Sequence, residues 1–281
     1  MRRWVIAVGF VAAGGMAWAS GYDDYMRGYE ARRAGRFDLA LSSFTAALAA
    51  ADLAETYKPD AHVGRADVLL HKGRCAEAMN DLDVALTLRP KLIEALIIRA
   101  HVNACLGHYD AALADLDTAV AAAPTTDLYA LRGSFRWDRG DFAAAAADFM
   151  QAAKLQPKRA FDPREGVYSL IWYAIAASRA KTFDAAMYAA AAYDLDDDEW
   201  PGPLMSFITG RKKADEIYRE AARGDGDIPS HRKCEADFFI AEWQYASGDP
   251  AGKTLLQSLP QTCPTDSTYI RHAQTDLQRF P

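Results

Sequence analysis

Several short segments carry residue types that could do chemistry. Gly248-Asp249-Pro250-Ala251-Gly252-Lys253-Thr254 has the ingredients of a phosphate cradle: glycines for close backbone approach, a lysine for the phosphates and a hydroxyl for a metal ion. Ser247 stands where the first glycine of such a loop belongs, and the preceding residues, with Phe239 and Trp243, have helical spacing where a strand is required, so the segment reads as a turn between helices. Asp194, Asp196 and Asp198 alternate like the start of a calcium loop. Glu199 occupies the position that needs glycine for the sharp turn, and Trp200-Pro201 follows, which reads as a solvated acidic linker. The 6 histidines are scattered, with no pair at i, i+4 around a glutamate, and no Gly-x-Ser-x-Gly elbow occurs. These segments predict no catalytic residues, no cofactor and no metal site.

The elements around these residues begin with Met1-Arg2-Arg3, a positive start, followed by an apolar run from Trp4 to Met16 and then Ala17-Trp18-Ala19, the small-x-small pattern of a signal-peptide cleavage site. The expectation is a signal peptide over 1–19 and a periplasmic or secreted mature chain, with no stable membrane insertion after cleavage, because no later stretch approaches the roughly 20 apolar residues of a spanning helix. The 281 residues are 51% hydrophobic and 25% charged, enough for a substantial core. A formal net charge of −6 disfavours nucleic acid, whose binding draws on Lys and Arg contacts to phosphate.

The strongest signal is self-similarity at a period of about 34 residues. Gly35, Gly73, Gly107 and Gly140 each end a first helix. Second helices then carry Ala40, Ala78, Ala112 and Ala145, a large apolar residue at Phe44, Leu82, Leu116 and Phe149, and alanine again at Ala47, Ala85, Ala119 and Ala152, with Pro90, Pro124 and Pro157 closing three units. Glycine tolerates the left-handed conformation that stops a helix, and proline cannot continue one. Small and large residues at i, i+4 and i+7 make a face that a neighbouring helix can approach closely. First helices have a small residue at Gly28, Ala66, Ala100 and Gly133.

This pattern resembles the tetratricopeptide repeat, strongly from Tyr22 to Pro157. The resemblance implies an all-α solenoid of stacked antiparallel helix pairs in a right-handed superhelix, with a closing C-terminal helix. An extra turn is expected around Leu53 to Pro59, where one unit is longer than the next. Lys181 replaces the turn glycine in a weaker unit from Val167 to Tyr193, and a last unit starts at Cys234. The expected organisation is an array of about four repeats over 20–160, degenerate helical repeats and a linker over 161–231, and a repeat-like unit with a capping helix over 232–281. On the capping helix Tyr269, Ile270, Ala273 and Leu277 would face inward. More finely, the export signal, the repeats and this tail resemble the NlpI-type periplasmic proteins, which implies an adaptor role; no lipid-accepting cysteine sits at the cleavage site.

The 4 cysteines, in an oxidising compartment, allow three pairings. The repeat frame puts Cys75 and Cys105 at one shared helix end, and Cys234 and Cys263 at another, which predicts those two pairs. In the resembled family the first helices line a concave surface that receives a peptide or partner helix. The expected groove comprises Tyr22, Tyr25, Tyr29, Arg32, Asp67, His71, Glu94, His101, Asp127 and Trp137, aromatic at one end and acidic in the middle, suited to a protein or peptide partner with basic and apolar residues. The three tyrosines at i, i+3 and i+7 would otherwise serve as a cap on the array. The expected function is a periplasmic scaffold or adaptor without enzymatic activity. The alternative is an envelope hydrolase with a site in 161–232.

Overall fold

The computed structural model describes residues 20–155, 164–192, 199–265 and 267–279. The expected signal peptide, Pro157, and the acids Asp194, Asp196 and Asp198 lie outside them. The described secondary structure is all-α. Two compact units divide the chain, one through Ile98 and one from Arg99.

The first unit holds α1 (Gly21–Arg33), α2 (Phe37–Ala49), α3 (Lys58–His71), α4 (Cys75–Leu88) and the start of α5 (Ile93–Cys105). Helix α1 opens with a capping box: Ser20 Oγ accepts from the Asp23 amide, and the Asp23 carboxylate accepts from the Ser20 amide, both at 3.1 Å. The turn glycines that close α1 and α3 have φ of +67° at Gly35 and +71° at Gly73. Around Gly73 the Arg74 amide reaches back to the Leu69 carbonyl at 2.9 Å, while Gly73 itself donates to Leu70, which is the paired-bond helix stop that needs a left-handed residue.

Packing in this unit turns on Phe44, which is fully buried. Its ring lies against both Gly28 of α1 and Gly64 of α3, so closely that a β-carbon would fall 2.8 Å from it at Gly28 and 2.5 Å at Gly64. The small column on first helices therefore exists to admit the large column of second helices. Leu53 is buried and Gly21 donates to Asp52 at 2.9 Å, so the extra turn after α2 folds back beneath the start of α1.

The second unit continues through α6 (Tyr109–Ala122), α7 (Thr126–Arg139), α8 (Phe142–Leu155), α9 (Arg164–Arg179), α10 (Ala185–Ala192), α11 (Gly202–Ile208), α12 (Ala214–Ala221), α13 (Ile228–Ala246), α14 (Pro250–Thr262) and α15 (Thr268–Arg279). Gly107 and Gly140 repeat the bend at φ +79° and +87°. Lys181 takes φ +59° at the corresponding stop after α9, so a side chain is held in the conformation that the repeat assigns to glycine. A continuous core joins Trp137, Phe149, Leu170, Tyr188, Phe238 and Leu256. On α15, Ala273 is fully buried, while Tyr269, Ile270 and Leu277 are half-buried against this core.

Gly252 lies inside α14, where a β-carbon would come within 2.4 Å of the Ala241 carbonyl and the Tyr245 amide of α13. The glycine in the phosphate-loop look-alike is thus a point of backbone contact between two helices. Cys234 at α13 and Cys263 after α14 form a disulfide with Cα atoms 4.9 Å apart. Cys75 and Cys105 are also disulfide-bonded.

Candidate protein-binding face

In the first unit, helix α1 and the turn that leads into α3 bring their tyrosines into one cluster. The Tyr22 and Tyr57 rings are 5.0 Å apart, Tyr25 and Tyr57 5.5 Å, and Tyr22 and Tyr25 6.2 Å. Tyr25 leans on Phe44 at 6.3 Å, which ties the cluster to the core. Tyr22, Tyr29 and Tyr57 remain exposed, at 43%, 39% and 37%. A ring exposed to that degree yet braced by its neighbours loses little freedom when a partner covers it.

Charges on this face are paired within the unit, two arginines serving three acids. Arg32 stacks on the Tyr29 ring at 5.2 Å and donates to Asp67 at 3.0 Å and to Glu94 at 3.4 Å. Arg89 donates to Asp60 at 2.6 Å and to the Thr56 carbonyl at 3.0 Å. Asp67 and Glu94, expected from sequence to lie in an acidic middle, and Asp60 beside them, therefore each carry an arginine partner. The Tyr25 hydroxyl is still pushed above the usual phenol range, first by burial and then by the fields of Asp60 and Glu94. His71 stacks on Phe37 at 4.9 Å and its Nδ1 lies 2.9 Å from the Asp67 carbonyl. A cavity of about 710 Å³ adjoins the face, lined by Arg89, Pro90, Lys91, Leu92, Ile93 and Glu94. Arg89 and Glu94 belong to both.

The remaining expected groove residues lie in the second unit and do not make a comparable surface. His101 is exposed and meets the Phe135 ring edge-on at 5.1 Å. Asp127 is exposed in the first turn of α7. Trp137 corrects the sequence reading: it is only 5% exposed, packed edge-on against Phe142 and Trp172, and donates its indole N–H to Asp276 at 3.2 Å. It offers no free ring to a partner.

Sequence reasoning missed two features. Tyr57 completes the aromatic cluster from the extra turn, outside the repeat frame. A buried ion pair also recurs in the repeats: Arg65 grips Asp81, Arg99 grips Asp115 and Arg132 grips Asp148, each through two guanidinium nitrogens at 2.6–2.9 Å and each separated by 16 residues. Asp81, Asp115 and Asp148 are 5%, 7% and 2% exposed. Burial alone would raise Asp81; hydrogen bonds from Arg65 and His62 outweigh it and hold the carboxyl below its ordinary value. The signal was available, since each arginine directly precedes the small first-helix residue and each aspartate follows the second-helix alanine by three. In the first pair Ser43 stands at the aspartate position, and Arg27 bonds Asp24 at 2.6 Å instead.

Among the described residues no group of three or more His, Cys, Asp or Glu is placed to hold a metal.

Residues 25–93 and 105–163 match the tetratricopeptide repeat family. The chain carries tetratricopeptide repeats in those two segments. Solved structures of similar fold include a tetratricopeptide repeat protein from Parabacteroides merdae, 13% identical over 91% of this chain and 98% of that one, TM-score 0.52. The C-terminal part of a TPR repeat-containing protein from Cytophaga hutchinsonii is 14% identical over 91% and 88%, TM-score 0.52. MamA is 15% identical over 69% and 95%, TM-score 0.50. At such identities the likeness concerns the fold alone. No curated protein matches the chain.

Proposed function

We propose that the chain is an exported scaffold or adaptor that holds protein partners on the first-helix face of its first unit. The observation that carries this reading is the exposed tyrosine cluster: Tyr22, Tyr29 and Tyr57 present rings to solvent around the half-buried Tyr25, beside acids that are already paired with arginines. Tyrosine and arginine are enriched in binding hot spots, and tyrosine gives large contact area with only two torsions to freeze. Arg32, Asp67, His71 and Glu94 complete the face, and the adjoining cavity is wide enough for an apolar side chain of the partner. Export to the periplasm or beyond is supported by the charged, apolar and small-residue order of the first 19 residues and by oxidised cysteines. No described helix is long and apolar enough to cross a membrane.

The test is site-specific photocrosslinking in cells, with a benzophenone side chain at position 29 on the face or at position 42 on the exposed side of α2. Discrete protein adducts should form from position 29 and disappear when Tyr22→Ala and Tyr57→Ala are added. The same adducts from position 42, or their survival in the double variant, would refute the reading.

A further inference from the structure

Trp137, Arg179, Glu242 and Asp276 lie toward the C-terminal ends of α7, α9, α13 and α15, and the four side chains meet in the core of the second unit. Arg179 sits between aromatic rings, its guanidinium carbon 4.9 Å from the centroids of both Trp137 and Tyr245. Its Nη2 donates to Oε2 of Glu242 at 2.6 Å. Glu242 is 0% exposed, and its other oxygen, Oε1, has no donor. The carboxyl of Glu242 meets that of Asp276, itself 3% exposed and bonded by the Trp137 indole.

Two carboxylates are acceptors only, so their meeting is repulsive unless one of them carries a hydrogen. Arg179 supplies one positive charge for two acids. Asp138 of α7 adds further negative field on Asp276, and the partial negative charge at the ends of α13 and α15 disfavours a second anion.

We propose that Glu242 and Asp276 share a single proton, and that this proton latches α15 onto the face formed by Trp137, Arg179 and Glu242, so that α15 lets go as the solution turns alkaline. The occupant of that face is thus the chain's own last helix. Seven residues before each acid, Glu235 and Tyr269 make a parallel tie between α13 and α15, with Trp200 donating to the same glutamate at 2.8 Å. Burial and Glu235 push the Tyr269 phenol far above its usual range, so this second tie does not titrate with the first. Release uncovers Trp137 and the Phe238 ring, which now stacks against Tyr269 at 4.9 Å.

The sign follows from proton linkage. Burial first, and then Asp276, push Glu242 up to about 8 against the pull of Arg179, and Asp276 is raised as well. With α15 undocked, both acids titrate near their ordinary values of about 4. The docked state therefore holds one more proton than the undocked state between about pH 4 and 8; docking is strongest below that window, weakens by up to about tenfold per pH unit through it, and levels off above.

Hydrogen exchange of the full chain between pH 6 and 8, corrected for intrinsic rates, reads this directly at residues 268–279, with α3 as the internal reference. Protection of 268–279 should fall several-fold per pH unit relative to α3, and Glu242→Gln should flatten the slope because its amide donates to Asp276 at every pH. Asp276→Asn should flatten it too, and serves alone if Glu242→Gln does not fold. Equal slopes in the native chain and either folded variant would overturn the proposal. So would an infrared spectrum of the native chain at pH 6 without the carbonyl band of a buried protonated carboxyl. This latch belongs to the second unit and stands whether or not the tyrosine face binds a partner.

Discussion

Arg99 holds Asp115 through two nitrogens of one guanidinium, Nε at 2.9 Å and Nη2 at 2.7 Å, with the carboxylate buried between α5 and α6. Asn103 adds a third donor at 3.3 Å. The pair closes a helix pair from within, as Arg132 and Asp148 do one repeat later.

Removing Arg99 leaves the Asp115 carboxylate buried without its counterpart. Arg99→Met should lower the free energy of unfolding by about 3 kcal/mol or more. Combining it with Asp115→Leu should restore much of that loss, because an apolar pair of similar volume carries no desolvation cost. Urea denaturation of the two variants checks both statements.

Lys181 holds φ +59° without the glycine that the repeat places at this stop. Lys181→Gly should therefore stabilise the chain, by about 1 kcal/mol, since relief of left-handed strain outweighs the added freedom of the unfolded chain. The same substitution at Lys72, which ends α3 with φ −86°, should destabilise. Thermal melts of the two variants should move in opposite directions.

Gly64 leaves a β-carbon only 2.5 Å from the Phe44 ring. Gly64→Ala should cost about 1–3 kcal/mol through overpacking. Phe44→Leu should relieve that clash, so the double variant loses less than the sum of the two single losses. A double-mutant cycle in urea gives the coupling.

The disulfide between Cys234 and Cys263 spans a sequence separation of 29. Replacing both with serine should destabilise the chain by about 3–4 kcal/mol from loop-closure entropy. The loss should appear as a lower denaturant midpoint in the absence of any reductant.

The bends of the array were legible because each is a local matter. A left-handed stop needs glycine whatever surrounds it, and Gly35, Gly73, Gly107 and Gly140 all have positive φ. The alanine and large-residue columns were legible because close helix approach admits few residue types, as Phe44 shows between Gly28 and Gly64. The Arg99–Asp115 class of contact was passed over because a charge on a helix is ordinarily solvated, and only its recurrence at the repeat period marks it as internal. Trp137 was misjudged for another reason. A column position says which helix face a residue occupies, whereas Asp276 arrives to cover that face from 139 residues away in the chain.

Because Arg32 and Arg89 together engage three acids, Asp67, Glu94 and Asp60, the tyrosine face presents only a small negative field to an approaching molecule. A partner would find it with little long-range steering, at rates that added salt changes only weakly. Discrimination would then reside in how long a complex lasts once the rings are covered, and much less in how fast it forms.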